Sequence, residues 1–158
     1  MEEKIKAGGI IRNEHLAKIG VMAAPDRCGL ACDVLRVLGA NQINAEFIVQ
    51  CTDLANNSHI VFCVREDQLE ETLVALQPIK DAVKAEEIVH RKNVALVSVF
   101  GPDFRERPAI GAAVFESMAS ADINIMAIST SISTVSCLID GDRVDDAVVA
   151  LREHFELP

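Results

Sequence analysis

The 158-residue sequence contains no Trp and no Tyr, and only 4 % of it is aromatic. Little material is available for stacking nucleobases or building a sugar platform. Cations are also scarce: 15 Lys and Arg stand against 24 Asp and Glu, a formal net charge of −9. That balance excludes nucleic acid and anionic membranes as natural partners, because phosphate contacts need clustered Lys and Arg. No apolar run is long enough to span a bilayer, and the acidic Met1-Glu2-Glu3-Lys4 start does not read as a signal peptide. A glycine-rich phosphate cradle is missing, and the length leaves no room for a nucleotide fold. The Cys are five, an odd number, scattered among apolar residues. They read as small core residues of a reduced, cytoplasmic protein.

What the chain has is a core and a repeat. Half of it is hydrophobic, enough for one ordinary domain or two small ones. Ile43-Asn44 recurs 80 positions on as Ile123-Asn124, and at the same offset Arg27 matches Arg107, Val34 matches Val114, Leu35 matches Phe115 and Ile48 matches Ile128. Beyond the next turn the offset is 75: Val64 aligns with Ile139, Asp67 with Asp142, Leu73 with Val148 and Leu76 with Leu151. The difference falls in Cys51 to Ser58, whose Thr-Asp and Asn-Asn-Ser content reads as a longer hairpin loop.

Each copy predicts the order βαββαβ, the ferredoxin-like arrangement. In the first, Leu16 to Ala23 alternates as a strand, and Pro25-Asp26-Arg27-Cys28-Gly29 is a turn with Asp26 as helix cap. Ala31, Val34, Leu35 and Leu38 make one apolar helix face, ended near Gly39. Ile43 to Cys51 and His59 to Val64 are strands. Asp67 and Glu70 form a capping box for a second helix, and Val83 to His90 supplies the last strand. The second copy runs Val94 to Phe100 (strand), Pro108 to Ala121 (helix), Ile123 to Thr130 and Thr134 to Asp140 (strands), then Asp142 to Phe155 (helix). Its final strand is missing, while Ile5 to Arg12 is a surplus apolar segment at the other end. A sheet lacking an edge and a spare strand satisfy each other. The expectation is therefore an α+β chain in which a first domain, 14–90, is inserted into a second made of 1–13 plus 91–158.

The chain resembles the regulatory half of aspartokinases, which is built of tandem ACT domains. The matching stretches are Ala17-Lys18-Ile19-Gly20-Val21, Pro25-Asp26-Arg27-Cys28-Gly29 and Ile43-Asn44-Ala45-Glu46-Phe47-Ile48-Val49-Gln50 in the first copy. In the second they are Pro108-Ala109-Ile110-Gly111-Ala112 and Ile123-Asn124-Ile125-Met126-Ala127-Ile128-Ser129-Thr130-Ser131, with the closing Ala147 to Leu157. The resemblance implies two interlocked ACT domains that bind lysine, threonine or both and feed back on a kinase domain or subunit, with no catalysis in this chain. It implies a homodimer whose pockets are shared between copies. Effector-lining positions map onto Asp26, Gly29, Ala31 and Gln50, and onto Gly111, Asp122, Asn124 and Ile125. The chain departs from the family pattern at Cys28 (usually Pro), Ala109 (usually Gly), Gly111 (often Thr), Asp122 (often Asn), His59 (often Asp) and Ile132 (often Glu).

The physical chemistry of the ligand agrees. An amino acid carries a carboxylate, which suits backbone N–H groups at a helix start such as those after Asp26 or Pro108. Its ammonium suits a carboxylate, for which Asp26 is the candidate, and Gly29 permits close backbone approach. Other constellations have plainer readings. Cys28 and Cys32 lack a second ligand pair for zinc, and Cys28 reads as a loop thiol before it reads as a redox thiol. His15, His59, His90 and His154 are dispersed near element ends and read as surface residues. Asp140, Asp142, Asp145 and Asp146 lack a calcium loop's glycine and terminal Glu and read as helix caps. No cofactor and no metal are expected. Two other functions stay open: a stand-alone amino-acid sensor, and a dimerisation module whose pockets hold no ligand.

Overall fold

Alternating apolar residues and two amphipathic helices per copy produce the order β1 (Ile5–Lys6), β2 (Gly9–Pro25), α1 (Leu30–Ala40), β3 (Phe47–Thr52), β4 (Asn57–Arg65), α2 (Leu69–Ala82), β5 (Glu87–Phe100), α3 (Ala109–Ser120), β6 (Ala127–Thr130), β7 (Thr134–Asp140), α4 (Val144–His154) and β8 (Phe155–Glu156). The structure is a computed structural model that describes residues 3–102 and 104–158. Met1 and Glu2, part of the acidic start and of the expected 1–13 segment, lie outside the described residues with Asp103. The chain divides into two compact units, His15–Lys92 and the stretch ending at Glu14 together with Asn93–Pro158. Each carries the ferredoxin-like pattern, and they occur in tandem.

In the unit His15–Lys92 the strands lie in the order β3-β4-β2-β5. Antiparallel ladders join β4 to β2 and to β3, and the Glu86 amide donates to the Met22 carbonyl at 3.0 Å. Because side chains alternate across a strand, Ala17, Ile19 and Val21 of β2 and Ile60, Phe62 and Val64 of β4 fall on one face. There they meet Leu30, Val34 and Leu38 of α1 and Leu69 and Leu76 of α2 in one core.

The other unit has the order β2-β5-β7-β6, with the start of β2 alongside β5: the Gly8 amide donates to the Phe100 carbonyl at 2.7 Å. Ala95, Val97 and Val99 of β5 and Val135, Cys137 and Ile139 of β7 pack on Ile110, Val114 and Met118 of α3 and on Val144, Ala147 and Leu151 of α4. A two-stranded parallel pair closes the unit, Ile5 opposite Phe155 and Lys6 opposite Glu156.

The duplication is repeated in individual hydrogen bonds. Ile43 N–H donates to Leu38 O and Ile123 N–H to Met118 O, both at 2.9 Å. Glu46 N–H donates to Cys63 O and Met126 N–H to Leu138 O, both at 2.8 Å. The donors differ by 80 positions and the acceptors in β4 and β7 by 75, the two offsets read from the sequence.

Several local expectations are corrected. Asp26 does not cap α1; the N-cap is Gly29, in the left-handed region at φ 87°, and no side chain caps the helix. Gly39 lies inside α1, and the left-handed residue beyond its end is Gln42 at φ 56°. No Asp67–Glu70 capping box forms, since α2 starts after Gln68 without a side-chain cap. Leu35 is 38 % exposed. Strands expected at 83–90 and 94–100 are one continuous strand, β5, and the one expected from Leu16 begins at Gly9. Phe155 is not helical: it turns extended after His154 and inserts into the core as the first residue of β8. Cys28, Cys32 and Cys51 are exposed; only Cys63 and Cys137 serve as core residues, and burial pushes both thiols up to about 12. The expected role of Asp140 holds, its carboxylate accepting from the Asp142 amide at 2.9 Å.

Phe155 is 1 % exposed and seals its core at the strand pair with Ile5. Phe155→Ala should cost about 3–5 kcal/mol in urea unfolding, as large aromatic truncations in cores do. Leu35→Ala, at an exposed helix position, should cost well under half of that, and equal losses at the two sites would contradict this placement.

Candidate functional site

The first copy assembles a polar cluster where β2 ends. Its origin is a break in the β2–β4 ladder, which runs in register to Val21 opposite Ile60 and resumes with Ala24 opposite Ser58. Met22 and Ala23 together face the single residue His59, which is a β-bulge. Ala23 occupies the left-handed region at φ 52°, and its amide donates to Nδ1 of His59 at 3.1 Å. His59 Nε2 lies 2.8 Å from Oδ2 of Asp53 at the hairpin tip. The other oxygen of Asp53 accepts from the amides of Ala55 (2.8 Å) and Asn57 (3.0 Å). The hydrogen bond from His59, then that from the Asn57 amide, holds the Asp53 carboxyl below the usual carboxylate range.

The chain leaving the bulge is tied to the same hairpin. The Asp26 amide donates to the Asn56 carbonyl at 3.0 Å, and the Ser58 hydroxyl donates to Oδ1 of Asp26 at 2.8 Å. Ser58 is fully buried and also meets Gln50 Nε2 (3.4 Å) and Thr52 Oγ1 (3.3 Å). Three residues after Asp26, Gly29 opens α1; no side chain caps its first turn, and the Leu30 amide donates to the Arg27 carbonyl at 3.4 Å. Arg27 pairs with Asp33 across this opening and donates to the Cys28 carbonyl at 3.2 Å; the Arg27 hydrogen bond is the first cause lowering the Asp33 carboxyl.

The eight positions singled out in the sequence do not form one site. Asp26 and Gln50 are brought together through Ser58, and Gly29 stands at the adjoining helix start. Ala31 instead packs against the core of its unit. Gly111 is in the first turn of α3 and Asp122 is beyond its last, about 16 Å apart at 1.5 Å per residue. A methyl at Gly111 would meet only Phe115, at 3.9 Å, so the backbone there does not demand glycine. Asp122 is left-handed at φ 54°, the counterpart of Gln42, and its carbonyl accepts from Arg143 at 3.2 Å. Asn124 and Ile125 follow in the connection to β6, with Ile125 packed partly on the core.

Sequence reasoning missed Ser58, Thr52, Asp53 and His59. A signal existed for Ser58: it shares the inward phase of Ile60, Phe62 and Val64, and a hydroxyl on a core face needs a partner. His59 and His154, read as surface residues, are half-buried and bonded, His154 through Nδ1 to Ser117 Oγ at 3.0 Å. Among the described residues, no group of three or more His, Cys, Asp or Glu is placed to hold a metal, and no helix is long and apolar enough to cross a membrane.

The fold and the repeat define the class, because residues 97–155 match the ACT domain family. An aspartate kinase of Stutzerimonas stutzeri is 33 % identical over 157 residues, covering 99 % of this chain and 38 % of that protein. The chain thus spans well under half the length of the curated relatives it matches. By contrast, the ligand-free regulatory subunit of Thermus thermophilus aspartate kinase superposes with a TM-score of 0.87 at 29 % identity, covering 95 % of this chain and 99 % of that one. A structure of aspartokinase alpha and beta subunits matches with a TM-score of 0.86 at 29 % identity, over 94 % and 97 % of the two chains. The chain thus matches the ACT regulatory region of aspartokinases over nearly its whole length, and the match falls on the regulatory part rather than on the kinase domain.

Two outcomes follow from the cluster. Ser58→Ala should destabilise the protein by about 1.5–3 kcal/mol, the value of a hydrogen bond to a charged acceptor, here the Asp26 carboxylate. Asp53, whose folded carboxyl is depressed, contributes stability that is present above the ordinary carboxylate value and lost as pH falls through the folded one. Asp53→Asn should therefore be less stable than wild type at neutral pH, and the gap should close below about pH 4. A gap constant with pH in thermal melts would contradict this.

Proposed function

We propose that this chain is an amino-acid-binding allosteric module giving feedback control of an aspartokinase by lysine, threonine or both. The observation that carries the proposal is the match of 95 % of this chain to 99 % of an aspartate kinase regulatory subunit. The effector enters at the Asp26 cluster, with its ammonium on the Asp26 carboxylate and its carboxylate on the first-turn amides that follow Leu30. Gln50, anchored on Ser58, lines the same opening. The pairing of charges is complementary and needs no cofactor. Gly111, Asp122, Asn124 and Ile125 belong to the second domain, bounded as 1–13 plus 91–158 around a first domain of 14–90. Gly111 stands at the far end of α3 from the other three, which supports one working pocket in the first copy rather than two.

The working form is a cytoplasmic homodimer acting on an aspartokinase catalytic domain or subunit. Each unit ends in an edge strand, β3 or β6, and each exposes an isoleucine at the matching position, Ile48 (38 %) and Ile128 (44 %). Unpaired edge strands are suited to a second copy. An effector that binds the paired and unpaired states with different affinities supplies the coupling that allostery requires.

A thermal-shift panel of the twenty amino acids, followed by calorimetry, tests the proposal. At a hundred times its Kd a specific ligand adds about 2.7 kcal/mol and moves the midpoint by several degrees. Lysine or threonine should be the hit, and Asp26→Ala should abolish the shift while leaving the fold intact. A shift with a different amino acid would replace this reading with a stand-alone sensor; no shift at all would favour a dimerisation module.

A further inference from the structure

We infer that His59 is a positioning residue for the Asp26 loop and that it acts only as a neutral ring protonated at Nε2. The inference deepens the amino-acid-binding reading above and rests on it. The donor and acceptor roles are set by the partners. A backbone amide can only donate, so the Ala23 N–H, 3.1 Å from Nδ1, requires a lone pair there. The proton of the neutral ring then sits on Nε2 and donates to Oδ2 of Asp53, 2.8 Å away. Both ring nitrogens are used, one on each side of the gap between β2 and the hairpin tip.

What the ring holds is the start of the effector loop. Ala23 is the left-handed residue of the bulge, three positions before Asp26. Without His59 its amide has no ladder acceptor, because the register skips from Val21 to Ala24. Asp53 in turn fixes Ala55 and Asn57, and the hairpin tip returns to the loop through Asn56 O and Ser58 Oγ, both bonded to Asp26. The path from Ala23 through His59, Asp53 and the hairpin back to Asp26 is a closed ring of hydrogen bonds, and His59 is its one side chain that bridges strand to tip. The second copy has no such device: β5 pairs with β7 from Val94 to Phe100 without a register shift, and Thr134 stands where His59 does.

Protonation opens this ring at one point. A second proton on Nδ1 sets N–H against the Ala23 N–H and breaks that bond, while the cationic ring keeps and strengthens its contact with Asp53. The imidazole then stays with the hairpin and lets go of the bulge. Of the titratable groups on elements around it, Asp53 comes from the hairpin tip, Cys51 is the cross-strand partner on β3, and Asp26 follows β2. Amino-acid binding at Asp26 should accordingly weaken in acid, once the ring takes up its second proton.

The test uses the full chain. Long-range proton–nitrogen correlation spectra of the labelled protein at neutral pH should show His59 with Nε2 protonated and Nδ1 bare; an Nδ1–H tautomer or a charged ring overturns the inference. Calorimetry with the amino acid that stabilises wild type should show His59→Leu binding about tenfold more weakly, the loss of about 1.4 kcal/mol from one unmet amide. His59→Asn, whose side-chain oxygen can take the place of Nδ1, should retain binding within about threefold and lose the acid sensitivity, since Asn does not titrate. Equal affinity for wild type and His59→Leu overturns the positioning role while leaving the amino-acid site standing. If no amino acid binds wild type, the functional reading fails instead. Hydrogen exchange then decides: the Ala23 and Asp26 amides should exchange faster in His59→Leu but not in His59→Asn, and unchanged rates overturn the inference.

Discussion

The candidate site depends on one interruption in one ladder, the bulge between β2 and β4. Up to Val21 the two strands pair residue for residue and send alternate side chains into the core. A bulge adds one residue to one strand, so everything after it changes phase and direction. That change delivers Ala24 to the core, turns Asp26 onto the buried hydroxyl of Ser58, and leaves one ladder amide to be met by an imidazole. Polar groups this close to a core persist only when partnered. Among the described residues no buried side-chain nitrogen or oxygen lacks a partner.

The duplication explains why such a site has somewhere to stand. Two copies of one βαββα pattern share a backbone bond at the end of the first helix and a cross-strand bond at the start of the strand that follows, so the scaffold is repeated. Differences gather where the fold tolerates them, in the hairpin after β3 and in the turn before each first helix. The first copy carries a longer hairpin whose tip bonds back to β2, whereas the second carries a short one of Ser131, Ile132 and Ser133. One copy thus has the groups for ligand chemistry, and the other repeats the architecture around a left-handed Asp122 that closes a helix.

Much of this was legible from residue order. The period-two runs in β2, β4 and β7 and the apolar faces of α1 and α4 are local signals, and the repeat made each copy a check on the other. Asp26, Gly29 and Gln50 were found because the family resemblance pointed to them. Caps were read less well: Asp26, Gly39 and the Asp67–Glu70 pair all have the right chemistry for a helix end, yet the helix ends fall one to three residues away. Propensity identifies residues that can cap, while the exact terminus is set by how the helix docks on the sheet. Phe155 shows the same competition, where burial against Ile5 outweighs the continuation of an amphipathic helix.

The sequence alone determined the class of the protein: an acidic, aromatic-poor, duplicated α+β chain with tandem ferredoxin-like units. Those properties rest on composition and on spacings of a few residues, which survive any arrangement in space. Only the tertiary structure decided which of the marked residues meet. Asp26 and Ser58 are 32 positions apart and Ala23 and His59 are 36 apart, and a strand register joins them. Gly111 and Asp122 are 11 apart and remain separate because a helix lies between them. Proximity in a folded chain is set by long-range pairing, whose register no local pattern records when a bulge shifts it.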